Sequence, residues 1–194
     1  MYSQVINYIK QRIEVTEAEL QEGLKYSVPK KYGKGDYIIR MGEQCRFIGF
    51  INKGLMVTTT VDETGKESAF DFKCENCFFT YTEGLMNSEP STKNFIALEE
   101  CETLILQKEH LEKILKLNPK FETLFSKILA EDLTSVLKNQ QSIKAQSAEE
   151  RYLSLEQKYP RGLQRIPVKY IAGYLGIEPE SLSRLRRRLA GKTK

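Results

Sequence analysis

The 194-residue sequence has one histidine, four cysteines and no apolar run approaching 18 residues. Each shortage excludes something. Four cysteines in this length do not make a disulfide scaffold and read as reduced thiols in a cytoplasmic protein. A membrane-spanning helix needs a run of about 18 or more apolar residues, so none is expected. The first residues lack the basic-then-apolar profile of a signal peptide. A histidine-based catalytic triad would have to be built on His110, which follows the polar stretch Gln107-Lys108-Glu109 at a helix start and reads as a solvated helix residue. There is no glycine-rich phosphate loop, no zinc-ligand spacing and no nucleophile motif. The expectation is a non-enzymatic, cytoplasmic chain without a cofactor or metal.

What is present is concentrated at the C-terminal end. Residues 151–194 carry 11 basic and 3 acidic side chains, whereas the remainder carries 19 and 23. A near-neutral total therefore conceals an acidic front and a basic end, and only the end is suited to a polyanion. Within it, Ile171, Ala172 and Leu175 form the inner face of a short helix. Gly176 supplies the left-handed residue that ends it. Ile177 can plug the core between two helices, and Pro179 suits the first position of the next, with Glu180 in its first turn. Leu182, Leu185 and Leu189 then recur at threes and fours, leaving Ser181, Ser183, Arg184, Arg187 and Arg188 on the other faces. That is the spacing of a helix-turn-helix, whose second helix enters the DNA major groove. The plainer alternative is a basic amphipathic helix packed on something else.

The rest of the chain divides by texture. Residues 1–28 read as helical, with a capping box at Thr16-Glu17-Ala18-Glu19. From 29 to 107, glycines punctuate short β-rich runs at Tyr37–Arg40, Phe47–Asn52, Leu55–Val61, Ser68–Phe72, Phe95–Leu98 and Thr103–Leu106, the pattern of a β-barrel or roll. Leu55, Val57, Thr59 and Val61 alternate with Met56, Thr58 and Thr60 as a half-buried strand would. Asp62 to Lys66 is a hairpin connection. Asn118-Pro119 then opens a helix with apolar residues from Phe121 to Ile143 at threes and fours. At about 1.5 Å per residue, its roughly 27 residues span near 40 Å. Such a stripe outruns a small β-domain and predicts a parallel dimer helix, the alternative being an ordinary core helix. A further helix covers Ala148–Tyr159, and Tyr159-Pro160-Arg161-Gly162 breaks the chain.

This order resembles the Crp/Fnr superfamily of bacterial transcription regulators over nearly the whole chain. Lys34-Gly35-Asp36-Tyr37-Ile38-Ile39, Met41-Gly42-Glu43, Phe50-Ile51-Asn52-Lys53-Gly54 and Ala97-Leu98-Glu99-Glu100-Cys101-Glu102-Thr103-Leu104 look like strands of that family's cyclic-nucleotide-binding domain. The resemblance implies an α+β fold. Its parts are a β-roll domain over 1–117 with flanking helices, a dimerisation helix over 118–146 and a winged-helix-like helix-turn-helix domain over 147–194. By the same resemblance, Glu180, Ser183 and Arg184 touch base edges and Ser181 a phosphate, Arg184 taking a guanine and Glu180 a cytosine amine. Arg187, Arg188, Lys169 and Lys192 meet phosphates. The partners implied are double-stranded DNA, a second copy of the chain and RNA polymerase.

The ligand cassette departs from the family. Members that bind cyclic AMP carry Gly-Glu-Leu and then Pro-Arg-Ser-Ala, the glutamate taking the ribose and the arginine the cyclic phosphate. Here Tyr81 stands for the glutamate and Ser91 for the arginine, and no arginine lies between Arg46 and Arg151. Lys93 is a point charge two residues away, and burying a phosphodiester without a bidentate cation is costly. No cyclic-nucleotide response is expected. Phe79, Tyr81, Ser91, Thr92 and Lys93 remain as candidates to line a pocket for another ligand, with core packing the alternative for the aromatics. Cys74-x-x-Cys77, with Cys45 and Cys101, could form a redox pair or hold a cluster, against a plainer role as small buried hydrophobes. Three functions follow: a Crp/Fnr-type regulator, an effector- or redox-gated sensor, and a protein docking on polymerase or nucleic acid without sequence preference.

Overall fold

The computed structural model describes residues 2–160 and 162–192. Two helices open the chain, α1 (Ser3–Lys10) and α2 (Glu17–Leu24). They are followed by β1 (Val28–Tyr32), β2 (Tyr37–Ile39), β3 (Phe47–Lys53), β4 (Met56–Val61), β5 (Glu67–Lys73) and β6 (Phe78–Phe79). The short helix α3 (Thr82–Asn87) precedes β7 (Asn94–Ala97) and β8 (Cys101–Gln107). The helices α4 (Lys108–Leu117), α5 (Pro119–Ala145), α6 (Ala148–Lys158), α7 (Val168–Leu175) and α8 (Pro179–Lys192) complete it. Two four-stranded sheets, ordered β1-β8-β3-β6 and β2-β7-β4-β5 with antiparallel pairs throughout, form an open roll and not a closed barrel.

Local chemistry sets the helix starts. Thr16 accepts from the Glu19 amide while the Glu19 carboxylate accepts from the Thr16 amide, a reciprocal capping box. Asn118 caps α5 by accepting from the Lys120 amide, with Pro119 in the first position, where its missing N–H has no helical partner to lose. Ser147 and Glu150 repeat the capping box on α6. The 27-residue span of α5 agrees with the sequence expectation. Two strands went unforeseen. β1 contains Pro29 and shows four exposed residues in a row, and β6 is only two residues long, so neither carries a periodic signal.

The core is layered. Ile51, Met56, Phe79, Phe95 and Ile105 fill the roll interior between the sheets. Phe50, Leu104 and Ile114 pack the outer face of the first sheet against α1, α2 and the start of α5, where Phe121 and Leu124 are buried. The outer face of the second sheet is covered as well. Leu55, Val57, Phe72 and Ile96 form one cluster with Leu155, Ile171, Leu175 and Leu182 from α6, α7 and α8. The half-buried strand expected at 55–61 is thus corrected: Met56, Val57, Thr58 and Thr59 are all buried, because Met56 turns into the roll interior while the C-terminal helices cover the opposite face at Leu55 and Val57. Gly173 permits this approach, since a Cβ there would stand 3.3 Å from the Ala69 backbone nitrogen.

Candidate nucleic-acid interface

The unit from α7 to α8 is built as the leucine and glycine spacing implies. Gly176 adopts φ +63°, and no atom lies within 4 Å of where its Cβ would be, so only the backbone conformation demands glycine. The Gly176 amide donates to Gly173 and the Ile177 amide reaches back to Ala172 at 3.0 Å, which closes the end of α7. Pro179 begins α8. Ile171, Ala172, Leu175 and Leu182 are fully buried and lock the two helices in register. Among the described residues no strand accompanies them. Leu163–Arg165, before α7, is a 3-10 turn.

The opposite face of α8 is polar and accessible. Glu180, Ser183, Arg184, Arg187 and Arg188 are exposed, with Ser181 half-buried beside them. Arg184 donates to the Ser181 hydroxyl at 3.2 Å, and Ser183 donates back to the Pro179 carbonyl at 3.1 Å. Among the described residues neither Arg184 nor Arg187 forms an ion pair, so both guanidinium groups are available to an anion. Arg188 is paired with Glu149 of α6 at 2.6 Å. Lys169, on α7, is exposed with its ammonium 4.5 Å from the Tyr170 ring centre. The Lys192 side chain lies outside the described residues. Arg186, which carried no expectation, donates to the Tyr152 hydroxyl at 3.2 Å and braces α8 against α6.

The cassette residues make a different picture. Phe79 and Tyr81 are buried in the roll, Phe79 edge-on to Phe47. The Tyr81 hydroxyl lies 3.3 Å from that of Thr92. The Ser91 hydroxyl, 2% exposed, donates to the Lys93 carbonyl and accepts from the Lys93 amide. The Lys93 ammonium sits 4.0 Å from the Phe70 ring centre. The polar groups of the cassette are thus occupied with one another and with a neighbouring ring. His110 is half-buried and stacked on Tyr26 at 4.3 Å, not solvated as the sequence suggested, because β8 delivers the start of α4 beside Tyr26.

Sequence reasoning missed the contacts between the helix-turn-helix and the roll. Arg165 donates to the Glu75 carboxylate at 2.7 and 3.1 Å, and to that of Glu99 at 3.1 Å and through a second contact. These bonds, Glu99 first, hold the Arg165 guanidinium above its ordinary range. Glu75 is held below the carboxylate range, burial being outweighed by Arg165. Lys158 pairs with Asp71 at 3.1 Å, and Arg151 donates to the Leu175 carbonyl. Only adjacency in space brings these residues together, so no sequence spacing announced them. Cys45 and Cys101 are buried in the roll, and Cys74 and Cys77 half-buried at its edge. No group of three metal-ligating side chains occurs among the described residues.

Residues 29–118 match the family model of the cyclic nucleotide-binding domain. No curated protein sequence matches the chain. Solved structures extend the likeness to the C-terminal helices. FixK2 from Bradyrhizobium japonicum is similar with a TM-score of 0.77 at 17% identity, over 86% of each chain. The c-di-GMP-responsive global regulator CLP of Xanthomonas campestris gives 0.72 at 13%, over 92% of this chain and 93% of that one. A Eubacterium rectale protein assigned to the Crp/Fnr family gives 0.71 at 18%, over 92% of this chain and 85% of that one. The chain therefore has the fold of the Crp/Fnr transcription regulators, a cyclic nucleotide-binding domain joined to C-terminal helices. None of its described helices is long and apolar enough to cross a membrane.

Proposed function

We propose that the chain is a homodimeric, sequence-specific DNA-binding transcription regulator of the Crp/Fnr type that acts in the cytoplasm without responding to cyclic AMP. The observation that carries this reading is the exposed face of α8, where Arg184 and Arg187, without an ion pair among the described residues, project from a helix locked by Leu182 and Leu185. In this reading Arg184 meets a guanine through O6 and N7, and Glu180 accepts from a cytosine amine. Ser181, Ser183, Lys169, Arg187, Arg188 and Lys192 complete the contact surface, mostly on phosphates.

Dimerisation is supported by α5. Its first half is buried on the roll through Phe121, Leu124 and Phe125, whereas Leu133, Leu137 and Ile143 stand 59, 49 and 53% exposed on the second half. Paired along this stripe, two copies would set their α8 helices roughly 34 Å apart, one turn of DNA, and would require an inverted-repeat operator. Against a cyclic-AMP response stands the cassette. Ser91 is closed on Lys93, Tyr81 stands where the resemblance puts the ribose-binding glutamate, and no arginine lies between Arg46 and Arg151 in the sequence. A second reading, an effector-gated sensor, is favoured by the docking of α7 on β5, which gives the roll a physical hold on the DNA-binding unit.

The test is fluorescence anisotropy with the chain's own upstream promoter, a salt series, unrelated DNA as control and no added ligand. Selective binding whose logarithm falls linearly with that of salt is expected. Equal affinity for both DNAs would overturn sequence-specific binding, and a tightening by cyclic AMP would overturn the reading of the cassette.

A further inference from the structure

We infer that Cys74 and Cys77 are a peroxide-oxidisable thiol pair whose intramolecular disulfide loosens the helix-turn-helix from the roll. The regulatory consequence rests on the proposed role of α7 and α8 in DNA binding, but the thiol chemistry does not.

The two cysteines flank the turn between β5 and β6. Glu75 and Asn76 form the two-residue turn between them, with Asn76 in the left-handed conformation, φ 62°. The two ends of the turn are held differently. The Asn76 amide donates to Ile51 at 2.9 Å and the Ile51 amide donates to Cys77 at 3.0 Å, so the second half is tied to β3. The first half faces the C-terminal helices, with Cys74 packed against their cluster and Glu75 accepting from Arg165. Cys77 also lines a cavity of about 210 Å³ with Tyr8, Asp71, Lys73 and Tyr159. The neighbouring Cys74 thiol, opposed by burial and joined by the Lys73 ammonium, holds the Cys77 thiol below the ordinary range. A lowered thiol gives up its proton more readily, and the thiolate is the nucleophile. Cys45 and Cys101, 0 and 1% exposed, have no such access.

The oxidant required is a hydroperoxide. The Cys77 thiolate attacks one oxygen of hydrogen peroxide, the O–O bond breaks, and the departing hydroxide takes up a proton as water, leaving a sulfenic acid. The Cys74 sulfur then attacks the Cys77 sulfur. The S–S bond forms, the S–O bond breaks, and the leaving hydroxide takes the Cys74 proton as a second water. Two thiols and one peroxide become one disulfide and two waters. An S–S bond of about 2.05 Å draws the two ends of the turn together. The second half is held by two backbone hydrogen bonds to β3, and Glu75 is held by Arg165 and by the Gly54 amide at 2.9 Å, so the movement falls first on Cys74 and pulls on Glu75. It withdraws Glu75 from Arg165 and disturbs the surface on which α7 rests.

The full chain is treated with equimolar hydrogen peroxide, its thiols are mapped by alkylation and peptide mass, and amide hydrogen exchange is followed over 168–175. The expected result is a 74–77 disulfide, Cys45 and Cys101 still reduced, and exchange in α7 faster by about tenfold, within the 5–150-fold range usual for coupled sites. Dithiothreitol should reverse it, and Cys77→Ser and Cys74→Ser should each remain unresponsive, either variant sufficing if the other fails to fold. A sulfinic acid without a disulfide, or a disulfide that leaves α7 exchange unchanged, overturns the inference. If oxidation frees α7 but neither form binds DNA, the thiol pair stands and the proposed function falls.

Discussion

Replacing Arg165 by alanine tests whether one side chain holds the helix-turn-helix on the roll. Its guanidinium bridges two carboxylates, Glu75 and Glu99, and the three side chains are 31, 29 and 33% exposed. Hydrogen bonds to charged groups contribute about 1.5–3 kcal/mol when desolvated, and exposed ion pairs about 0.2–1 kcal/mol. With about a third of each group in water, the bridge falls between these limits, and its loss should cost about 2 kcal/mol. Part of that is the mutual repulsion left between Glu75 and Glu99, so Glu75→Gln in the Arg165→Ala background should restore some stability. Urea unfolding of wild type, each single variant and the double variant measures the terms separately. The effect has a definite pH dependence. Glu75 is held below its ordinary value of 4.5, so its contribution is present above that value and is lost as pH falls through the lower, folded-state value. The Arg165→Ala variant should therefore converge on wild type in acid. A variant within about 0.5 kcal/mol of wild type at neutral pH would match an ordinary surface substitution and refute the clamp.

Three further outcomes are expected. Arg184→Ala should weaken binding to the operator by about 1–3 kcal/mol while hardly changing binding to random DNA, and an equal loss on both would remove Arg184 from base reading. Leu133→Glu places a charge on the exposed stripe of α5, where Leu133 packs on nothing in its own chain's core. Sedimentation should show monomers with unchanged unfolding of the single chain, and a persistent dimer would move the interface elsewhere. Gly176→Ala leaves the space open but forces a Cβ into φ +63°. A cost of about 1–2 kcal/mol is expected by thermal unfolding, and no cost would mean that the turn relaxes freely.

Much of the fold was legible because its signals are local. The caps at Thr16 and Asn118 depend on residues two or three positions away, and so are read directly from the chain. The stripe of Leu182 and Leu185 with Gly176 before it specified the second helix and its turn. The candidate DNA-contacting residues emerged as the remainder of that stripe. β1 was missed because it is exposed on both faces except at Tyr32, and its place is decided by pairing with β8, more than 70 residues away.

By itself, the sequence determined the order of elements, the left-handed turn at Gly176 and the segregation of positive charge at the C-terminal end. Hydrophobic periodicity, glycine placement and net charge are properties of neighbouring residues and do not depend on the rest of the molecule. Tertiary structure alone decided that the second sheet of the roll is buried on both faces and that Arg165 meets Glu75 and Glu99, 90 and 66 residues away. It alone placed the Cys74–Cys77 turn against the helices that carry Arg184. These contacts join residues far apart in the chain, and the closure of the roll against α6, α7 and α8 is what brings them together.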